Sequence, residues 1–342
     1  MYSLPTEVQL DVLKCLNFNQ LFDVKLTNFY FCNLINKYEG GLARLKFKRI
    51  TISDPGFPRV PSPYKSIKPK STDFEFSLNE QLKEKWQATI DKSIALLYNI
   101  KPDDGTFVSI TTVDEKLEYF LKLPTFPKNI EEMVIVRCWL EQLFKCAFES
   151  ADFYQNVFNP ELINILFDND KTMPLQFNTR KASLWTNDET FENVFQLALN
   201  NLSVSEFLKI NLCLTPFTST SADIIEQRID ILFNILINES SRWPIICLEG
   251  FNLPRLYDLI TEYIATSKDC SKMVAVIVFD SFIPNFKLNE RAEKVWIRQL
   301  KKEKHVNYQI QNIFNPKVKF LFCNRERNDG RTVYVKMRKM KV

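Results

Sequence analysis

The sequence predicts an α/β fold led by a helical module. Three short amphipathic stripes fill the first 47 residues, and from about residue 79 onward helical stripes alternate with short apolar runs. The centres of successive runs lie roughly 30 to 43 residues apart, enough for one crossover helix and two loops, so the sheet is expected to be mainly parallel. With 45% hydrophobic and 25% charged residues in 342, the chain has material for a substantial core, and disorder is not expected.

The first helix is expected to open at Leu4-Pro5-x-Glu7-Val8. Pro5 suits a first helical position, where its missing N–H costs nothing, and Glu7 suits the positive end of the dipole. Val8, Val12, Leu13 and Leu16 form one stripe, which Asn17 and Asn19 end. Leu21 and Val24 mark a second short helix around Phe22 to Leu26, and Thr27 is expected to cap a third carrying Phe31, Leu34, Ile35 and Tyr38 on one face. Three helices this short cannot hide all their apolar side chains, so a partner or the rest of the chain must cover some.

Leu45 to Ile52 has strand character, and Pro55 to Lys70 holds five prolines, which reads as a stiff solvated connector. This gives three segments: residues 1–47 a docking module, 48–78 a strand and Pro-rich connector, and 79–342 an α/β recognition region.

In that region Leu82, Trp86, Ile90 and Leu97 predict a first helix. Leu140, Leu143, Phe144, Ala147 and Phe148 predict a second, and Phe191, Val194, Phe195, Ala198 and Leu199 a third. Ile225, Ile229, Leu232, Phe233 and Leu236 make a fourth stripe, and Leu256, Leu259, Ile260, Tyr263 and Ile264 a fifth. A weaker one runs through Ala292, Val295, Trp296 and Leu300. The expected strands are Met133 to Val136, Leu175 to Thr179, Leu208 to Leu212, Ile245 to Leu248, Met273 to Phe279 and Val318 to Phe322.

Leu208, Ile210 and Leu212 alternate with Lys209 and Asn211, as a sheet covered by helices on one face requires, whereas Val274 to Phe279 is apolar throughout. Asn328-Asp329-Gly330 signals a hairpin that closes the array with an antiparallel strand over Thr332 to Val335, and Met337 to Val342 reads as a basic tail. The arrangement resembles a divergent leucine-rich-repeat horseshoe, without the repeat consensus and with longer intervals.

Chemistry-bearing patterns are scarce. The six glycines form no phosphate-cradling loop or nucleophile elbow. The single histidine, His305, sits beside Lys301, Lys302 and Lys304 at an expected helix end, where a solvated imidazole is the ordinary reading. Eight dispersed cysteines without a C-x-x-C pair read as reduced core residues. Asp168-Asn169-Asp170 and Asp103-Asp104-Gly105 read as turns rather than cation sites. We expect no metal, no cofactor and no catalytic residue. A formal charge of +4 is too mild to argue for nucleic acid or an anionic membrane, and no apolar run is long enough to span one. Without a signal core near Met1, a cytoplasmic or nuclear location is expected.

The pattern Leu4-Pro5-x-Glu7-Val8, Val12-Leu13-x-x-Leu16, Leu21-x-x-Val24-x-Leu26-x-Asn28-x-x-Phe31-x-x-x-Ile35 resembles the F-box, and its wording is closest to the expanded F-box families of nematodes. Gln20 stands where many members have Asp, and Phe31 where many have Trp. The resemblance implies a substrate-recognition subunit of a Skp-cullin-F-box ubiquitin ligase, with a Skp-type adaptor, and through it a cullin, as partners. Leu4, Pro5, Glu7, Val8, Val12, Leu13, Leu16, Leu21, Val24, Leu26 and Phe31 are then the expected adaptor contacts. For a protein substrate the open sheet face is the candidate: Gln176, Asn178, Arg180, Lys209, Asn211, Glu249 and Lys319. Such a subunit works by proximity and needs no reactive side chain, so it would not itself be an enzyme. The alternatives are a non-degradative scaffold or adaptor-binding inhibitor, or an α/β enzyme whose site is assembled from residues distant in sequence.

Overall fold

The computed structural model describes residues 4–53, 63–73, 76–98, 106–154, 156–168, 174–187, 189–212, 222–250, 254–280, 288–300, 303–327 and 332–340. Asp103-Asp104-Gly105, most of Asp168-Asn169-Asp170, the Asn328-Asp329-Gly330 turn and the first prolines of the connector lie outside these residues. The fold class is α/β. Contacts divide the chain into two compact units: Met1–Asp152, Asn156–Thr179 and Phe195–Ser203 form one, while Phe153–Gln155, Arg180–Val194 and Val204–Val342 form the other. The expected recognition region contributes to both.

The first unit opens with helices α1 (Thr6–Lys14), α2 (Phe18–Thr27) and α3 (Phe29–Tyr38), as the stripes predict. Two end signals differ from expectation. Pro5 is the residue before α1 rather than its first member, its carbonyl accepting the Gln9 N–H at 3.1 Å. Asn28 caps α3 in place of Thr27, accepting the Phe31 N–H at 3.0 Å, while the Thr27 hydroxyl donates back to the Val24 carbonyl. Asn17 does more than end a stripe. It forms a reciprocal capping box with Gln20, each side chain taking the other's backbone N–H at 3.0 Å.

Strands β1 (Leu45–Ser53) and β2 (Tyr64–Ile67) follow, then α4 (Glu80–Asp91), the short β3 (Leu97–Tyr98), β4 (Thr106–Thr111) and β5 (Glu118–Leu123). Next come α5 (Ile130–Lys145), β6 (Cys146–Tyr154), β7 (Val157–Phe158) and α6 (Pro160–Leu166). The sheet of this unit is ordered β6-β1-β4-β5-β2, and β3 pairs with β7 apart from it. Ile50 lies beside Ile110, Ile52 beside Val108 and Val108 beside Leu121, all buried in one row. Helices α4, α5 and α6 pack on one another, with Phe144 against Phe177 at 4.8 Å and the buried Arg137 guanidinium between the rings of Phe76 and Phe167.

Three expectations fail in this unit. Leu97, expected on one helix with Leu82, Trp86 and Ile90, lies in β3, since α4 ends at Asp91. Met133 to Val136 belongs to α5, because the Asn129 cap and first-turn Glu131 and Glu132 start a helix there and the apolar period continues through Leu140 and Phe144. Ala147 and Phe148 lie in β6, since Cys146 turns extended with ψ 164° directly after the helix. Four apolar residues in a row suit either state, so only the neighbouring caps decide. β2 occupies part of the expected connector and pairs in parallel with β5.

In the second unit β8 (Phe177–Thr186), α7 (Phe191–Asn201), β9 (Leu202–Leu212), α8 (Ala222–Asn238), β10 (Ile245–Glu249), α9 (Pro254–Thr266) and β11 (Val276–Asp280) alternate as expected, with β8, α7 and β9 shared between the units. β12 (Glu293–Leu300), β13 (Glu303–Gln311), β14 (Lys319–Arg327) and β15 (Thr332–Lys339) complete it, in the order β8-β9-β10-β11-β15-β14-β13-β12. β9, β10 and β11 are parallel, placing Ile246 beside Leu208 and Ile277, and Leu248 beside Ile210 and Phe279. From β11 onward every ladder is antiparallel. The sheet is therefore mixed rather than mainly parallel, because β1, β4 and β5 pair antiparallel and β12 to β15 follow one another through connections of at most seven residues, which have no length for a crossover helix.

The hairpin of β14 and β15 forms as expected, but Met337 to Lys339 is strand, not tail. The stripe through Ala292, Val295, Trp296 and Leu300 is β12, not a helix. The consecutive Val295, Trp296 and Ile297 favour a strand, and β13 supplies its partner. His305 accordingly lies in β13, 3.7 Å from Glu303, rather than at a helix end. Helix α9 covers one face, with Tyr257 reaching the buried Tyr308 hydroxyl at 2.7 Å.

Gly250, after β10, takes φ 76°, and a Cβ there would stand 2.5 Å from the Leu212 carbonyl oxygen, so the end of β10 can approach β9 only with glycine.

Candidate functional site

The three N-terminal helices build their own core. Leu13, Leu21, Phe31, Leu34, Ile35 and Leu42 are buried together, with Leu10, Leu16, Val24, Tyr38 and Ala43 packed partly against them. Gln9 ties the module across its helices. Its buried side chain donates to the Leu4 carbonyl at 2.7 Å and accepts from the Tyr30 hydroxyl at 2.8 Å. The module joins the rest of its unit through Arg44, which donates to the Phe144 carbonyl at 2.6 Å, and through Lys145, which bridges Glu39 at 3.2 Å and Glu141 at 3.0 Å.

That core sorts the expected adaptor contacts. Leu13, Leu21 and Phe31 hold the module together, and Leu16 and Val24 are shared between its core and its surface. Leu4, Pro5, Glu7, Val8, Val12 and Leu26 face solvent, Leu26 with 70% of its area. Sequence reasoning missed three further exposed apolar residues: Phe22, Tyr30 and Phe29, the last 87% exposed. A signal was present, because Phe22 and Phe29 fall off the stripe that defines each helix's inner face and still are aromatic. Six large apolar side chains (Val8, Val12, Phe22, Leu26, Phe29 and Tyr30) thus stand open on three short helices. The module can bind another apolar surface without rearranging its core.

The expected substrate residues are distributed otherwise. Gln176 and Asn178 belong to the first unit, where the Asn178 amide is committed to backbone, donating to the Phe144 carbonyl at 3.1 Å and the Gln176 carbonyl at 3.0 Å. In the second unit Arg180 pairs with Glu206 at 2.7 Å. Lys209, Asn211 and Glu249 come together, the Lys209 ammonium lying 2.7 Å from Glu249 and the Asn211 amide donating to the same carboxylate. This contact raises the Lys209 pKa, chiefly through the hydrogen bond its ammonium donates to Glu249. Lys319 lies on β14, half-buried beside Gln311. The Lys209–Asn211–Glu249 group is self-satisfied, so it offers a patterned surface more than an open valence.

In a small cleft of about 130 Å³ between α7 and α8, Gln227 donates to Glu192 at 2.8 Å and Arg228 stacks on Phe191. Among the described residues no group of three or more His, Cys, Asp or Glu side chains is placed to hold a metal ion, and no helix is long and apolar enough to cross a membrane. Burial pushes the Cys146 and Cys247 thiols up to about 11, which keeps them protonated and unreactive at neutral pH.

A family described as Domain of unknown function (DUF8381) matches residues 67–213. No curated protein matches the chain. Among solved structures, the sugar N-methyltransferase KedS8 from Streptoalloteichus sp is similar over 54% of this chain and 72% of that one, at 9% identity and a TM-score of 0.14. The CcbJ methyltransferase from Streptomyces caelestis is similar over 46% of this chain and 66% of that one, at 12% identity and a TM-score of 0.13.

Proposed function

We propose that the chain is a substrate-recognition subunit of a Skp-cullin-F-box ubiquitin ligase, docking a Skp-type adaptor through α1–α3 and a protein substrate through its α/β region. One observation carries the reading: a three-helix module with a closed core of its own leaves Val8, Val12, Leu26 and Phe29 exposed, with no cover among the described residues of its unit. Exposed apolar side chains grouped on a rigid scaffold are what a helix-binding partner would cover. In such a complex the chain supplies two binding surfaces on one body and raises the substrate's effective concentration near the ubiquitin-loaded enzyme, in the cytoplasm or nucleus. The repeat-like reading of the recognition region is supported only over β9-α8-β10-α9-β11, where parallel neighbours follow one another through helices.

The test is co-purification of the full chain with a Skp-type adaptor. Val8→Asp combined with Phe29→Asp, both solvent-facing, should reduce recovery at least tenfold while circular dichroism and the thermal transition stay unchanged. Equal recovery of adaptor with the double variant, or none with the unmodified chain, would sink the proposal. Adaptor without cullin, and no protein depleted on overexpression, would favour the scaffold or inhibitor reading instead.

A further inference from the structure

β12 ends its sheet: β13 pairs along one side of it, and no strand follows on the other among the described residues. Such an edge carries a row of unpaired N–H and C=O groups, and proteins usually blunt it. One guard is present at its start, where the register shifts between Glu293 and Trp296 and Lys294 takes φ 48°, a bulge that bends the strand away. From Trp296 to Leu300 the register with Asn307 to Glu303 is regular, and nothing in the described residues covers it. Every residue of β12 is exposed, Ile297 with 64% and Trp296 with 50% of its area.

The pairing fixes which side chains an added strand would meet. Ile297 stands opposite the buried Val306, so Ile297 and Gln299 share one face, while Trp296, Arg298 and Leu300 share the other. On that second face Arg298 lies opposite His305, which lies opposite Arg325, a row of basic side chains across three strands. Glu303 approaches His305 at 3.7 Å and Arg325 at 3.9 Å, at the inner part of the row. Arg298, at the edge, receives no carboxylate from the described residues. From Arg291 to Lys304 the sequence holds six Lys and Arg against two Glu.

We infer that the free edge of β12 is a docking site for an extended acidic–apolar protein segment, which adds as a further strand with a carboxylate against Arg298 and apolar side chains against Trp296 and Ile297. Charge selects this occupant. A second copy of the same strand would bring another basic stretch against this one, and a nucleic acid, though its charge fits, has no backbone to complete the ladder of amide hydrogen bonds. The inference rests on the substrate-receptor reading only in assigning the segment to a substrate, and its test needs no adaptor.

The full chain would be titrated with a fluorescent end-capped peptide, Ser-Val-Thr-Glu-Val-Tyr-Ser, whose central residues face Leu300, Gln299, Arg298, Ile297 and Trp296 in antiparallel order. Its counterpart with Lys in place of Glu is the control. Saturable binding is expected, about tenfold weaker for the Lys peptide, with amide exchange slowed across residues 296–300, and Arg298→Glu should reverse the preference between the two peptides. Four results would each overturn the inference: no saturation at millimolar peptide, equal binding of both peptides, stronger binding of a single-stranded RNA oligomer that displaces the peptide, or a concentration-dependent dimer abolished by Arg298→Glu. Failure of adaptor recovery alone would leave the peptide result standing and remove only its assignment to a ligase substrate.

Discussion

Tyr257 shows how one residue couples burial to solution behaviour. Its phenol is pushed up to about 12, first by burial, with the hydrogen bond to Tyr308 partly opposing, and burial raises Tyr308 as well. Cys146 and Cys247, at about 11, behave alike. In each case the folded state keeps a proton that the unfolded chain releases at lower pH. Their contribution is therefore complete below about pH 8.5, where unfolded thiols begin to ionise, and is lost as pH rises through 11 and then 12. Tyr257 and Cys146 should each contribute on the order of 2 kcal/mol to that loss, and Cys247, nearer to solvent, less. Urea midpoints between pH 8 and pH 11.5 should fall progressively, and Tyr257→Phe, though less stable at neutral pH, should show a shallower fall above pH 10. An identical slope in the variant would contradict the account. None of this was legible in the sequence, where Tyr257 falls outside the stripe of Leu256, Leu259, Ile260, Tyr263 and Ile264 and gives no sign of the strand hydroxyl it will meet.

At the scale of elements, asparagine caps and hydrophobic period together decide the helices. Asn17, Asn28, Asn79, Asn129 and Asn159 each accept a backbone N–H from the first turn of the helix they precede. The N-terminal module depends on a core so small that one side chain matters. Leu13→Ala should cost about 2–5 kcal/mol of the module's stability and expose its amides to rapid exchange, whereas Val8→Ala, on the surface, should stay within about 0.5 kcal/mol. Hydrogen exchange resolved over residues 4–43 distinguishes the two, and equal protection in both variants would refute the separation of core from surface. The stripes over α7, α8 and α9 were readable because they are long and regular. β12 was not, since Val295, Trp296 and Leu300 satisfy a helical spacing while the adjacent Ile297 and the pairing with β13 satisfy a strand.

For the whole molecule, the segment matched by the domain of unknown function begins at the last residue of β2, after β1, yet its β4 lies against β1. Residues 67–213 expressed alone should lack a cooperative urea transition and bind a hydrophobic dye, because Val108 and Ile110 lose Ile52 and Ile50 and β4 becomes an open edge. A chain beginning at residue 44 should keep its transition, since the module it loses has a core of its own. A cooperative 67–213 fragment would show that β1 is dispensable.

The sequence by itself determined the three N-terminal helices, the alternation of helix and strand, the parallel run β9-β10-β11 and the closing hairpin, because period, caps and turn residues act within a few positions of one another. Tertiary structure alone decided that the sheet is mixed, that Leu13, Leu21 and Phe31 are core while Phe22 and Phe29 stay open, and that β12 is an uncovered edge. Those outcomes depend on which distant segment arrives alongside, and an apolar side chain carries no mark of whether its own chain will cover it.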